Sequence, residues 1–233
     1  MHAQSRRDWA AFAPAAIPTK TQVPHLDRWL DTLSERPAHS VDIGCGAGGG
    51  VRRLLARGFS VVGIDINPAA IAELQHELPL GDRARVQLHE RDVASPAGFA
   101  LGTERFDVAV CQLVASVVGD AQDRATLLRN THDVLRPGGS LFISFSGWSG
   151  DVNAEYADLY AHDAQATGEP GSYYSRDASG RVLYRTHHFT PDEIEHLLRD
   201  HGFRAICITE QLESSSRRPD QRARFFYVTC QRA

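Results

Sequence analysis

The sequence predicts a doubly wound α/β fold: a seven-stranded sheet, mostly parallel, closed by a C-terminal antiparallel strand hairpin. Three observations carry that reading. From Ser40 onward, short apolar runs alternate with amphipathic stretches of helical spacing, as parallel strands joined by helical crossovers do. A glycine-dense turn, Gly44 to Gly49, follows the first apolar run. The last two apolar runs are separated by a polar loop with no helix in it, so they must pair antiparallel.

Each element has its own signal. Trp9 to Pro24 scatters apolar residues among three prolines, a composition that suits an irregular cap better than a core helix. His25 to Leu33 places Leu26, Trp29, Leu30 and Leu33 at helical spacing. Strand Ser40 to Ile43, helix Gly50 to Arg57, strand Ser60 to Asp65, helix Pro68 to Leu78 and strand Arg85 to His89 follow. The second of these helices has Asn67 as its cap and proline at its first position. Strand Val108 to Gln112 leads to helix Ala121 to Leu135, and Arg136-Pro-Gly-Gly139 ends that helix and launches strand Ser140 to Phe145.

Ser146 to Phe189 breaks the rhythm. It is long and rich in Gly, Tyr and charged residues, so it reads as an insertion carrying function, with a helix at Tyr156 to Ala166 and a turn between short strands at Gly180. Thr190-Pro-Asp-Glu193 is a capping box that opens helix Pro191 to His201, which stops at Gly202. Strands Arg204 to Leu212 and Arg224 to Gln231 close the chain. The expected organisation is a cap and helix over residues 1–35, then one domain over 36–233 with the insertion at about 146–189.

Composition narrows the function. At 233 residues, 42% hydrophobic and 23% charged, the chain suits one folded domain of enzyme size. A net charge of -4 does not attract a nucleic-acid backbone, and the cluster Arg217, Arg218, Arg222, Arg224 reads as a solvated hairpin loop. Cys45, Cys111, Cys207 and Cys230 have no C-x-x-C spacing and read as buried reduced thiols rather than as a zinc or disulfide framework. The start is polar and no apolar run approaches the ~18 residues of a membrane span, so a soluble cytoplasmic protein is expected, with neither a membrane nor a nucleic-acid partner.

Val41-Asp-Ile-Gly-Cys-Gly-Ala-Gly-Gly49 concentrates the functional signal. A strand that ends in a glycine-dense turn delivers backbone amides to a nucleotide-like ligand, which side chains would hold off. Gly44, Gly46 and Gly49 fit the G-x-G-x-x-G dinucleotide fingerprint, with Asp65 about 20 residues on as the ribose acid. Three further acceptors and donors converge with the turn at the carboxyl ends of successive strands: Asp65, Asp92 and Gln112.

This pattern resembles the class I S-adenosylmethionine-dependent methyltransferases over about residues 25 to 231. The matching motifs are Val41-Asp-Ile-Gly-Cys-Gly-Ala-Gly48, Gly63-Ile-Asp-Ile-Asn-Pro68, Arg91-Asp-Val93, Phe106-Asp-Val-Ala-Val-Cys-Gln112 and Leu135-Arg-Pro-Gly-Gly-Ser-Leu141. The acid two residues before the first glycine and the Leu-Arg-Pro-Gly-Gly turn separate this family from the dinucleotide dehydrogenases and make Gly48 the third glycine that matters. The resemblance implies a Rossmann-like sheet, S-adenosyl-L-methionine as cofactor, S-adenosyl-L-homocysteine as its product, and no metal. By it, Asp65 accepts hydrogen bonds from both ribose hydroxyls, a task suited to a carboxylate. Ile66 lies against an adenine face, and Asp92 and Val93 read the adenine edge. Gly44 and Gly46 admit the methionine end, Asp42 assists its ammonium group directly or through water, and Gln112 and Leu113 lie beside the sulfonium.

The family fixes the donor and leaves the acceptor open. In-line positioning supplies most of the rate, and a general base matters when the acceptor is a hydroxyl or a protonated amine. The insertion holds Tyr156, Tyr160, Tyr173, Tyr174, Tyr184, His187 and His188, every tyrosine except Tyr227. Aromatic edges with polar tips suit a flat, polar small molecule. His187, His188 and Tyr174 are the candidate catalytic groups, and Trp9, Tyr156, Tyr173, Tyr174 and His187 the candidate acceptor contacts; packing of the insertion onto the sheet is the competing reading. Trp9, Phe12 and Lys20 lie on a stretch that in similar enzymes folds over the cofactor as a lid. Cys111-Gln-Leu-Val114 lacks the Asn-Pro-Pro-Tyr type of segment, which disfavours methylation of nucleic-acid bases.

The expected activity is methyl transfer to an N, O or S atom of a small metabolite, with a heteroaromatic natural-product intermediate suggested by the tyrosines, in a monomer or homodimer. A non-catalytic cofactor-binding regulatory or scaffold protein and a NAD-dependent oxidoreductase are the alternatives.

Overall fold

Alternation of apolar runs with amphipathic segments folds as the pattern requires. A computed structural model describes residues 9–12, 23–33, 39–215 and 220–233. Its elements are α1 (Pro24–Thr32), β1 (His39–Ile43), α2 (Gly49–Ala56), β2 (Ser60–Asp65), α3 (Pro68–Glu77), the short α4 (Leu80–Arg83), β3 (Val86–Glu90), β4 (Phe106–Gln112) and the short α5 (Val114–Val117). There follow α6 (Ala121–Val134), β5 (Leu135–Ser146), α7 (Ala154–Thr167), β6 (Ser172–Arg176), β7 (Val182–His187), α8 (Pro191–Asp200), β8 (Phe203–Ser214) and β9 (Arg222–Arg232).

Seven strands form one sheet in the order β3-β2-β1-β4-β5-β9-β8, and β6 and β7 form a separate pair. The first five pair in parallel, whereas β9 runs antiparallel to both β5 and β8. Strand order reverses between β1 and β4, which opens a crevice at their carboxyl ends, the place where such sheets bind ligands. Two apolar layers cover the sheet because successive strand residues face opposite ways. Ala109 and Cys111 pack with Leu127 and Leu128 of α6 and Ile194 of α8 on one side. Val108 and Val110 pack with Leu30 of α1, Leu54 of α2 and Leu74 of α3 on the other.

Several expectations shift in detail. The Arg136-Pro-Gly-Gly139 turn lies inside β5 as a bulge: pairing jumps from Phe106 opposite Leu135 to Val108 opposite Ser140. Gly138 supplies the positive φ of 74° that the excursion needs. Thr190 caps α8 by accepting from the Glu193 amide, but the Glu193 carboxylate leaves the capping box and meets His187. Cys207 is exposed, unlike the other three free cysteines, because β8 is an edge strand with one face to solvent. Arg222 and Arg224 sit in β9, where Arg224 pairs with Asp151 and Glu210; Arg217 and Arg218 lie outside the described residues. Among the described residues no helix is long and apolar enough to cross a membrane.

The insertion is built as a helix and a hairpin pinned together. Asp163, buried on α7, accepts from both terminal nitrogens of Arg176 at 2.7 and 2.8 Å and from the Tyr174 amide at 2.8 Å. The Arg176 guanidinium outweighs burial and holds that carboxyl well below the ordinary aspartate range.

Candidate active site

The glycine turn is shaped from both sides. The Gly44 and Cys45 amides donate to the Ile64 carbonyl at 2.8 and 3.0 Å, which ties the end of β1 to the end of β2. Gly44 has φ 70° and Gly48 φ 81°, and a Cβ on either would overlap Val114 Cγ2 or Leu74 Cδ1 respectively. Only glycine satisfies the conformation and the space together. Gly46 is also left-handed, and its amide donates to Asp65 Oδ2 at 2.8 Å. Asp65 Oδ1 accepts from the Asn67 amide at 2.9 Å. Burial raises the Asp65 pKa, against the pull of the Asn67, Gly46 and Ile66 amides.

Asp42 is 3% exposed, and its Oδ2 is buried with no hydrogen-bond partner among the described residues. Burial pushes its pKa up to about 7, with the Val51 amide pulling the other way. A buried carboxylate oxygen left unpaired beside a turn of backbone amides fits a ligand that brings a donor or a positive charge to it. The residues present therefore suit the amino-acid end of S-adenosylmethionine, and Asp65 suits its ribose.

Among the residues expected at the adenine end, Ile66 is half-buried. Asp92, also half-buried, accepts from the Ala94 amide at 2.9 Å, and the Val93 carbonyl accepts from Asn130 Nδ2 at 3.1 Å. At the crevice, Gln112 is half-buried opposite Ser144 of β5. Leu113 holds a left-handed φ of 60°, a strained conformation for a branched side chain, which is kept in place where its amide donates to both the carbonyl and Oγ of Ser144 at 3.1 Å. Ser144 is 1% exposed and was not among the expected site residues; its signal is a polar residue inside the apolar run Leu141-Phe-Ile-Ser-Phe145.

Pairing sorts the insertion's candidates onto two faces. Tyr173 stands opposite Thr186 and Ser175 opposite Tyr184, so Tyr173, Tyr184, Thr186 and His188 share one face, with Tyr174, Arg185 and His187 on the other. The first face meets the crevice: Thr186 Oγ1 donates to the Ser116 carbonyl at 2.8 Å, and Trp9 packs on Tyr184 with ring centroids 4.7 Å apart. His188 lies 2.7 Å from the Tyr160 hydroxyl through Nδ1 and 3.5 Å from the Tyr173 hydroxyl through Nε2. Tyr156 joins the same aromatic group, its hydroxyl 2.9 Å from Ser215 Oγ.

The second face does different work. His187 is 1% exposed, with Nδ1 2.8 Å from Ser172 Oγ and Nε2 2.8 Å from Glu193 Oε1. Tyr174 lies under the Arg176 guanidinium, 5.8 Å from its ring centroid, and its hydroxyl reaches the Ala166 carbonyl at 3.5 Å. Both residues, expected as catalytic groups and acceptor contacts, are thus separated by the hairpin from the face that carries Tyr173 and His188.

Trp9 and Phe12 are connected to the donor side by Asn67, whose Nδ2 donates to their carbonyls at 3.0 and 2.8 Å. Lys20 lies outside the described residues. Glu169, His187 and Glu193 have ligand atoms within 4.8 Å of one another. Glu169 is already neutralised by Arg124 and Arg185, so this cluster has the charge balance of an ion-pair network rather than of a cation site. Burial opposes charge on Glu169, but Arg124, His187, Ser172 and Arg185 outweigh it and hold its pKa below the ordinary value.

A sheet with a reversed last strand, a glycine turn flanked by Asp42 and Asp65, and a roof inserted after β5 define the class I S-adenosylmethionine-dependent methyltransferases, a class that uses S-adenosylmethionine as methyl donor. The model of a methyltransferase domain matches residues 41–141. The ubiquinone biosynthesis O-methyltransferase of Pseudomonas putida is 31% identical over 119 residues, which cover 50% of this chain and 48% of that protein. The chain thus spans about half the length of the curated relatives it matches. Among solved structures, a SAM-dependent methyltransferase from Methanosarcina mazei aligns with TM-score 0.77 and 26% identity, covering 91% of this chain and 98% of that one. The same fold is seen in the Burkholderia thailandensis 1,6-didemethyltoxoflavin-N1-methyltransferase, solved with 1,6-didemethyltoxoflavin and S-adenosylhomocysteine (TM-score 0.60, 20% identity, 100% of this chain and 84% of that one).

Proposed function

We propose that this protein transfers the methyl group of S-adenosylmethionine to an N, O or S atom of a small, flat metabolite held beneath the insertion of residues 146–189. The observation that carries the reading is Leu113. It sits strained at the end of β4, next to Val114, whose Cγ2 faces Gly44, and it packs against the core layer that Tyr156, Tyr160 and Tyr173 also join. The glycine-turn end of the sheet and the insertion's tyrosines therefore border one apolar layer.

The bound cofactor supplies a methyl group on a sulfonium leaving group. The chain's residues bind and orient. In this reading Asp65 holds the ribose hydroxyls and Asp42 the ammonium group, while Ile66, Asp92 and Val93 flank the adenine end and Gln112 and Leu113 the sulfonium. Tyr173, Tyr184 and Trp9 exclude water from the acceptor, which favours in-line attack on a charged centre. The buried indole N–H of Trp9, which has no partner among the described residues, offers one donor to an acceptor oxygen or nitrogen. His188 orients the Tyr160 and Tyr173 hydroxyls, the first through Nδ1 at 2.7 Å and the second through Nε2 at 3.5 Å. His187 and Tyr174 hold the hairpin from behind. A ring-shaped acceptor is supported by the aromatic face and by the toxoflavin-precursor ligand of the structural neighbour.

The test is incubation of the protein with S-adenosylmethionine and a panel of phenols, catechols, heteroaromatic amines and thiols, with S-adenosylhomocysteine measured by mass spectrometry. Acceptor-dependent product supports the reading. Tight cofactor binding without product across the panel would favour a regulatory or scaffold role, and NAD binding in its place an oxidoreductase.

A further inference from the structure

Asn67 does more than cap a helix. Its Oδ1 accepts from the Ala70 amide at 3.0 Å, which caps α3, and its own amide donates to Asp65 Oδ1 at 2.9 Å. Its remaining group, Nδ2, reaches out of the sheet and donates both hydrogens to the cap segment, to the carbonyls of Trp9 and Phe12. The residue is 1% exposed, so every donor and acceptor it uses is shielded from competing water. Trp9, thus held, packs on Tyr184 at 4.7 Å, and Phe12 meets the same ring edge-on at 6.1 Å.

One residue therefore lies between the candidate ribose acid and the proposed aromatic wall, joined to the first by its backbone amide and to the second by its side chain. We infer that Asn67 is a positioning residue that couples the two: cofactor on Asp65 fixes the 65–67 peptide, the fixed peptide orders the cap at residues 9–12, and the cap completes the acceptor wall at Tyr184. This inference rests on the methyltransferase reading above. The physical requirement is a differential one, since the cofactor need only favour the cap-closed arrangement over an open one.

The chemistry supplies a clean separation of its roles. Asn67→Asp keeps an oxygen for the Ala70 amide and keeps its own backbone donor to Asp65, but has no N–H for the cap carbonyls. Asn67→Ser does the same without added charge. Trp9 emission, isolated as the difference between each protein and its Trp9→Phe counterpart, reports the cap, while calorimetry with S-adenosylhomocysteine reports the donor site. The expected result is a Trp9 emission change on ligand binding in the wild type that is lost in both Asn67 variants at saturation. Affinity for S-adenosylhomocysteine should stay within about threefold, under ~1 kcal/mol. If both variants keep the wild-type Trp9 response, or if ligand binds the wild type with no Trp9 response, the coupling is overturned while the methyltransferase reading stands. Absence of S-adenosylhomocysteine binding to the wild type would instead remove that reading and the coupling with it.

Discussion

Glu193 binds His187 rather than the start of its own helix. The sequence motif offers its carboxylate to the Thr190 amide, yet Glu193 Oε1 lies 2.8 Å from His187 Nε2 and so joins α8 to the end of β7. Ser172 engages the other ring nitrogen, which leaves His187 without a free nitrogen for an acceptor. His187→Ala should accordingly destabilise the fold by about 1 to 3 kcal/mol, the range for stripping partners from buried polar groups. Denaturant unfolding should show the loss, hydrogen exchange should quicken in β6 and β7, and S-adenosylmethionine affinity should hold. A fully stable variant with abolished turnover would return His187 to the chemistry.

Asp42 makes stability depend on pH in an unusual direction. Its pKa rises from 3.8 to about 7 in the fold, so the native state keeps a proton that the unfolded chain releases. Stability from that proton is fully present below the unfolded value and is lost as pH rises through about 7. The side-chain amide of an Asp42→Asn variant never ionises, so the variant's advantage over wild type should grow by roughly 2 to 3 kcal/mol between about pH 5 and pH 8. Urea unfolding at the two pH values measures it. The same substitution should weaken S-adenosylmethionine binding at the higher pH if the Asp42 carboxylate partners the ligand's ammonium group as proposed. A stability gap independent of pH would show that Asp42 does not titrate in this range.

The crevice at the carboxyl ends of the strands was legible in the sequence because its signals are local. Asp42, the glycines, Asp65 and Leu113 all lie within a few residues of a strand end, and a strand followed by a turn announces itself over a short window. Even the topology of β8 and β9 followed from a loop too polar for a helix. The layout of the insertion was not legible to the same degree. His187 and His188 are neighbours in sequence, and only the pairing of Tyr173 with Thr186 decides that they face opposite ways. Asn67 reads as a helix cap, which it is, but its contact with Trp9 spans 58 residues and leaves no mark on either segment. Glu169 and Arg124, 45 residues apart, are equally silent until the hairpin folds back on α6.

Gly50→Ala sets helix propensity against space. In the interior of an exposed helix the change gains about 0.5 to 1 kcal/mol. Here a Cβ would overlap Asp42 Oδ2, closer than any real contact, and Asp42 is itself buried. Overpacking of that kind costs about 1 to 3 kcal/mol, so the clash should win and the variant should lose stability. It should lose cofactor affinity as well, since Asp42 must move from the turn. Thermal unfolding and calorimetry would decide, and a stabilised variant that binds normally would mean that α2 can shift without disturbing the site.

Glu169 should be the costliest single charge to remove from the insertion. The Arg124 side chain is 3% exposed, and its carboxylate partner Glu169 also accepts from Arg185 at 2.6 Å and from Ser172 at 2.9 Å. Burial lowers the Arg124 pKa and Glu169 opposes that fall, so the carboxylate is what keeps a buried guanidinium tolerable. Glu169→Gln leaves that charge uncompensated and should destabilise by about 3 to 5 kcal/mol. Arg185→Met, which leaves the Arg124 pair intact, should cost distinctly less. Removing both charges with Arg124→Met and Glu169→Gln should recover part of the single-variant loss, because Arg124 is then no longer a buried ion without its counter-charge, while Arg185 still lacks its partner. A double-mutant cycle by denaturant unfolding measures the coupling, and strictly additive losses would show that the two charges do not depend on each other.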